Sequence, residues 1–198
     1  MPHELWSKEK AAASPLAKHK ITAIETVQVR LRYPRAVGKN SSRGNHGNGP
    51  TNQCRIIKTD QGAVGWGLSY LSGEQIKNKH ADQYLGKRVS DLIDPGVGVP
   101  EEHRFLDVPL HDLAGNILGK PVHQLVGDKG EKKQRVYSGM IYFDDLEPPE
   151  NPRGIEQVLE NCQQDHDLGY RQLKVKIGRG NKWMKPPERG HQRDIDVT

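Results

Sequence analysis

Leu173-Lys174-Val175-Lys176-Ile177-Gly178 alternates apolar and basic residues with a period of two. In a β-strand that period places Leu173, Val175 and Ile177 on one face and Lys174 and Lys176 on the other. Two neighbouring ammonium groups repel each other. Held in a pocket near a strand end, that repulsion lowers a lysine pKa toward neutrality and yields a usable base. On these six residues alone, an ordinary strand with one solvated basic face is the favoured reading. The surrounding sequence decides between the two.

The strand is preceded by a helical pattern. Ile155, Val158, Leu159 and Cys162 recur at i, i+3, i+4 and i+7, and the pattern stops near Gly169. Before it, Val136 to Phe143 reads as another strand. Strand, helix and strand at this spacing predict a βαβ unit with two parallel strands. Trp183 to Pro187 reads as a loop that could line a pocket or shield a rim, with a helix starting near Glu188.

Upstream, the pattern changes. Residues 1–19 are expected to be a disordered leader. Ile21, Ile24, Val27, Val29 and Leu31 predict a long strand, and Cys54, Ile56 and Ile57 a second. After a turn at Thr59-Asp60-Gln61-Gly62, Ala63, Val64, Trp66 and Leu68 predict a third, giving an antiparallel meander. Between the first two strands, Pro34 to Pro50 is rich in Gly and Asn and reads as a mobile loop.

A helix capped by Ser72 is expected to run through Tyr84 and close at Gly86. A second spans about 101–118, with Leu106, Leu110, Leu113 and Ile117 as its buried stripe. Pro109 should kink it or shift its start. His111 and Asp112 are adjacent, so on a helix they diverge by about 100° and a structural role is favoured over a dyad.

The bulk properties narrow the classes. The 198 residues carry a net charge of +5, and 33% are hydrophobic. Basic residues are scattered among 25 acidic ones, so no nucleic-acid footprint emerges. Cys54 and Cys162 match no metal spacing and are expected as free thiols in a reducing, cytoplasmic setting. No apolar run reaches membrane-spanning length. Met1 to Lys20 lacks the apolar stretch of a secretory signal.

Taken in order, a strand meander with a glycine-rich loop, a helical section, Leu110 to Gly127 ending in Gly119-Lys120-Pro121-Val122-His123-Gln124-Leu125-Val126-Gly127, then strand, helix and Lys174-Val175-Lys176 resemble the mandelate racemase/muconate lactonizing enzyme family of the enolase superfamily. The resemblance covers about 20–198. It implies an α+β capping domain at 20–134 and, at 135–198, the first β/α units of a TIM-type barrel that is incomplete. A closed barrel takes about 250 residues.

The resemblance also implies the chemistry. Family members abstract the proton α to a carboxylate, and Mg²⁺ stabilises the resulting enediolate. Lys176 matches the base, and Lys174 the lysine that contacts the substrate carboxylate. The 34–50 loop matches the lid. The outcome is a racemisation, an epimerisation, a cycloisomerisation or the dehydration of a sugar acid, in an enzyme that forms homo-oligomers. Read from the residues themselves, His46 in the lid is a candidate substrate contact or a solvent-exposed loop histidine, and Tyr142, in phase with Val136, Ser138 and Met140, is a candidate contact facing the barrel mouth or packs under the capping domain. The family's metal ligands lie on later barrel strands, so none is assigned here. Asp144 and Asp145 read as loop or helix-capping groups. Alone, the chain is expected to lack the family's activity. Two further readings stay open: a non-catalytic remnant that docks onto a partner, and a basic binding module.

Overall fold

The computed structural model describes residues 14–69 and 81–198, which divide into two compact units. Unit one comprises 1–29 and 51–130; unit two comprises 30–50 and 131–198. The glycine-rich loop therefore clusters with the later strands.

In unit one, β1 (Ile21–Arg30), β2 (Thr51–Thr59) and β3 (Val64–Leu68) form a three-stranded sheet in that order. β2 and β3 are antiparallel, running from Cys54↔Leu68 to Lys58↔Val64. The expected turn closes them, with Gly62 at φ +79° and its N–H on the Thr59 carbonyl. A 3₁₀ turn at Glu101–Leu106 leads into α1 (Asp107–Leu118). Pro109 thus falls in the first turn of α1, where an N–H has no intrahelical partner, and it shifts the start without a kink. Gly119 ends the helix in the left-handed region at φ +64°. The short α2 (Val122–Leu125) follows Pro121.

Leu106, Leu110 and Leu113 are fully buried, and each contributes about 1.5–3 kcal/mol by burial. They join Leu16, Ile21, Ile57, Tyr84, Val89, Leu92 and Ile93 in one apolar cluster. α1 lies directly on β3 at Gly65, where an added Cβ would fall 2.4 Å from that of Leu113. His111 and Asp112 go to separate structural tasks: His111 Nδ1 lies 3.0 Å from Asp107 Oδ1, and Asp112 accepts the Trp66 N–H at 2.9 Å. Pro15–Lys18, expected within a disordered leader, instead forms a 3₁₀ turn that buries Leu16, because Ser14 caps it and Pro15 opens it. The helix expected from Ser72 lies mostly outside the described residues; its end, Asp82–Tyr84, is a 3₁₀ turn.

In unit two, β4 (Ser138–Ile141) and β5 (Leu173–Val175) pair in parallel, Ser138↔Leu173 and Ile141↔Val175, across α3 (Ile155–Asp167). The βαβ expectation holds, with corrections in detail. β4 is shorter than 136–143: Val136 and Tyr137 are exposed ahead of it, and the chain turns into a 3₁₀ segment at Asp144–Leu146. α3 buries Val158, Asn161 and Asp165, while Leu159 is 62% exposed. A polar anchor sets that face, because Asp165 accepts hydrogen bonds from Arg35 and Ser138.

After β5 come α4 (Arg179–Lys182) and α5 (Pro187–Asp196). Sequence reading missed α4 and saw only the start of α5, since both are strongly hydrophilic. They cross at glycine: a Cβ on Gly190 would lie 2.1 Å from the Gly180 nitrogen. The 34–50 loop has little regular structure, as expected, but it is fastened rather than free. Leu31 and Tyr33 donate to Pro50 and Asn48, and Val37 pairs with Gly47. Gly38 N–H donates to Asp144 at 2.6 Å, Phe143 N–H to the Lys39 carbonyl at 2.9 Å, and Lys39 pairs with Glu147 at 3.2 Å.

Candidate functional site

The candidate residues sit where β4 and β5 end, under the 34–50 loop. The Lys176 N–H donates to the Ile141 carbonyl at 2.9 Å, so the residue continues the ladder one step past β5. Its ammonium lies 5.5 Å from the centre of the Tyr142 ring. A second neighbour of that ring is His46, edge-on at 4.9 Å and 80°. Asn40 Nδ2 donates to His46 Nε2 at 3.2 Å. Asn40 Oδ1 accepts from Ser42 and Arg43, which turns the loop tip and aims the amide. Lys176, Tyr142 and His46, widely separated in sequence, thus come together.

Lys174 goes elsewhere. Its ammonium lies 4.6 Å above the Tyr137 ring and donates to the Tyr137 hydroxyl at 3.3 Å. Each lysine therefore rests on its own aromatic ring, a contact of about 0.5–1 kcal/mol at an exposed position. Neither forms an ion pair among the described residues.

Three acidic groups beside the site are already committed. Asp144 accepts the N–H groups of Gly38 and Tyr142. Burial raises its pKa, against the pull of those hydrogen bonds and of Arg35. Asp145 is fully buried and bound by both oxygens to Arg179. Asp165 is pushed up by burial, yet the hydrogen bonds from Arg35 and Ser138 and the Arg35 charge outweigh this and hold it below the usual range. The reading of Asp144 and Asp145 as loop or capping groups captures the backbone role of Asp144. It misses the ion pair of Asp145, whose partner lies 34 residues on.

Trp183 donates its indole N–H to the Asn40 carbonyl at 2.6 Å. The ammonium groups of Lys39 and Lys182 lie 4.9 and 4.6 Å from its ring centre. It braces the loop, a role that neither of the two expected ones, lining a pocket or shielding a rim, describes.

Among the described residues, no group of three or more His, Cys, Asp or Glu is arranged to hold a metal ion. No described helix is long and apolar enough to cross a membrane. Cys54 and Cys162 are both free thiols.

Comparison with known proteins gives a consistent picture. The chain is 30% identical over 173 residues to D-xylonate dehydratase of Haloferax volcanii, an alignment covering 75% of this chain and 40% of that one. It is 27% identical over 141 residues to a D-galactonate dehydratase family member of Marinomonas sp., covering 62% and 32%. Among solved structures it superposes on galacturonate dehydratase from Geobacillus sp., complexed with D-galacturonate and 5-keto-4-deoxy-D-galacturonate, with TM-score 0.73 and 30% identity over 91% of this chain and 47% of that one. A mandelate racemase/muconate lactonizing protein from Geobacillus sp. Y412MC10, complexed with magnesium and tartrate, gives TM-score 0.71 and 28% identity over 91% of this chain and 47% of that one. No family model matches. The chain spans about half the length of these structures, and less than half of the curated relatives.

Proposed function

We propose a function from the premise that this chain belongs to the mandelate racemase/muconate lactonizing enzyme family of the enolase superfamily: it carries the base-bearing side of a site that removes the proton α to the carboxylate of a sugar acid. The observation behind this reading is the convergence of Lys176, Tyr142 and His46 beneath the fastened loop.

Lys176 Nζ takes the α-proton. Lys174, as ammonium, reaches the carboxylate by leaving its seat on the Tyr137 hydroxyl. Negative charge grows on the carboxylate oxygens as the proton leaves, so a fixed ammonium stabilises the transition state more than the substrate. His46 and the Tyr142 hydroxyl contact substrate hydroxyls. Departure of the β-hydroxyl as water, protonated by the Lys176 Nζ that has taken the α-proton, completes a dehydration, the activity in the names of the relatives from Haloferax volcanii and Geobacillus sp.. The reading includes a cytoplasmic homo-oligomer.

Magnesium is implied by the family, and it accompanies the Geobacillus structure with tartrate. The residues described here do not fit it. Asp145 is saturated by Arg179, Asp144 is turned onto backbone N–H groups, and no third ligand joins them. No step assigned to this chain passes through a metal.

The test is NMR on the 198-residue chain in D₂O with D-galacturonate and Mg²⁺. The expected result is saturable perturbation of the lysine side-chain signals, lost in Lys174→Met, with the α-proton retained. No perturbation at millimolar ligand sinks the lysine-pair reading. Exchange of the α-proton would overturn the inactivity expected of this chain alone. A second reading, a non-catalytic chain docking onto a partner, is favoured by Ile177 being 61% exposed beside β5. Co-purification with a strand-bearing partner and no response to D-galacturonate would select it.

A further inference from the structure

We propose that Arg179 is a positioning residue for Lys176, fixing the peptide from which the lysine reaches over Tyr142. The proposal rests on the reading of Lys176 as the base.

Arg179 is completely buried, and each guanidinium nitrogen has an acceptor. Nε lies 3.1 Å from both oxygens of Asp145, and Nη2 lies 2.7 Å from Asp145 Oδ1. Nη1 donates to the Lys176 carbonyl at 3.2 Å and to Asp194 Oδ1 at 2.7 Å. The group stacks 4.5 Å over the Phe143 ring. Asp194, on α5, returns the grip by accepting the Gly178 and Arg179 N–H groups at 2.8 and 3.2 Å.

One side chain therefore joins the end of β4, the end of β5 and α5. The Lys176 peptide is held on both sides, its N–H by Ile141 and its C=O by Arg179. That fixes the point from which its side chain departs. The same contacts fully occupy Asp145, with Arg193 Nε a further 3.8 Å away. Asp145 follows Tyr142 by three residues.

Lysine cannot substitute for Arg179. A single ammonium cannot span two carboxylates and a carbonyl as a planar fork does. Its burial is tolerable only because the whole network is satisfied.

The experiment uses the full chain, reductively methylated with ¹³C, with the Lys174 and Lys176 signals assigned by single Lys→Arg variants. In Arg179→Lys, the Lys176 signal and its titration midpoint are expected to move while those of Lys174 stay. The dissociation constant for D-galacturonate should rise about tenfold, equivalent to about 1.4 kcal/mol. A variant that melts earlier but leaves the Lys176 signal and midpoint unchanged reduces Arg179 to a structural residue and overturns the proposal. Should Arg179→Lys fail to fold, Asp194→Asn takes its place, since it keeps the Asp145 pair and loosens Gly178. A moved Lys176 signal and midpoint in that variant support the proposal, and unmoved ones overturn it. Failure of the carboxylate reading is separable. Wild-type chain would then ignore D-galacturonate, while the ligand-free Lys176 signal would still answer to Arg179.

Discussion

The two units are held together by different forces. Unit one buries a continuous set of leucines, isoleucines and valines around α1 and its sheet. Unit two buries few large apolar groups, chiefly Val37, Ile141, Phe143 and Val158. Between them lie Ser138, Asp144, Asp145, Asn161, Asp165 and Arg179. Apolar burial is non-directional and tolerates small shifts. A buried ion-pair network holds only in one arrangement, and losing one partner leaves an uncompensated charge. The unit with the candidate base is thus the geometrically exacting one.

The sharpest way to break this contrast is Asp165→Ala. It strands Arg35, a nearly buried guanidinium, and frees the Ser138 hydroxyl. The expected loss is about 3–5 kcal/mol, read by urea unfolding with a probe in unit two. A loss below about 1 kcal/mol, the range of solvated pairs, would mean that unit two rests on its apolar contacts after all.

A smaller effect of opposite sign is expected in unit one. Arg55 on β2 is 1% exposed, and its Nε and Nη2 have no hydrogen-bond partner among the described residues. Burial holds its pKa below the usual arginine value. Arg55→Met should stabilise the chain by about 1–3 kcal/mol, visible as a raised melting temperature. A destabilised variant would show that the apolar unit also depends on a charge.

The smallest effect lies in the pH profile. Asp165 has a lowered folded pKa, so its contribution is present above the ordinary carboxylate value and lost as pH falls through the folded one. Asp144 has a raised folded pKa, so its ionisation costs stability above that value, and protonation relieves the cost as pH falls. Acidification should first relieve Asp144 and then weaken Asp165. Asp144→Asn should remove only the first limb in denaturant titrations across the acid range. An unchanged profile would show that Asp144 does not titrate there.

The contrast also explains what could be read from sequence. Unit one was legible because apolar spacing reports apolar burial: Leu106, Leu110 and Leu113 sit where their period puts them. The βαβ order and the lysine strand were legible from their periods, although Leu159, Leu173 and Ile177 stay exposed. The Arg179 network was not, because Asp145, Arg179 and Asp194 share no local pattern and charged residues read as solvated by default. α5 was underestimated for the same cause, since its contacts run through Gly190 and Asp194 rather than an apolar stripe. The loop was read as mobile from its glycine and asparagine content. Its fastening depends on acceptors a hundred residues away, such as Asp144 for Gly38.

Trp183 gives the molecule an optical gauge. Its indole is bonded to Asn40 at the loop tip and flanked by two ammonium charges. Those charges act on the excited-state dipole at distances where Coulomb energies are appreciable. With Trp66 and Trp6 replaced by phenylalanine, the emission maximum of the remaining indole would shift as the tip lifts from its seat. Stopped-flow fluorescence could then time the opening of the cover without any attached dye.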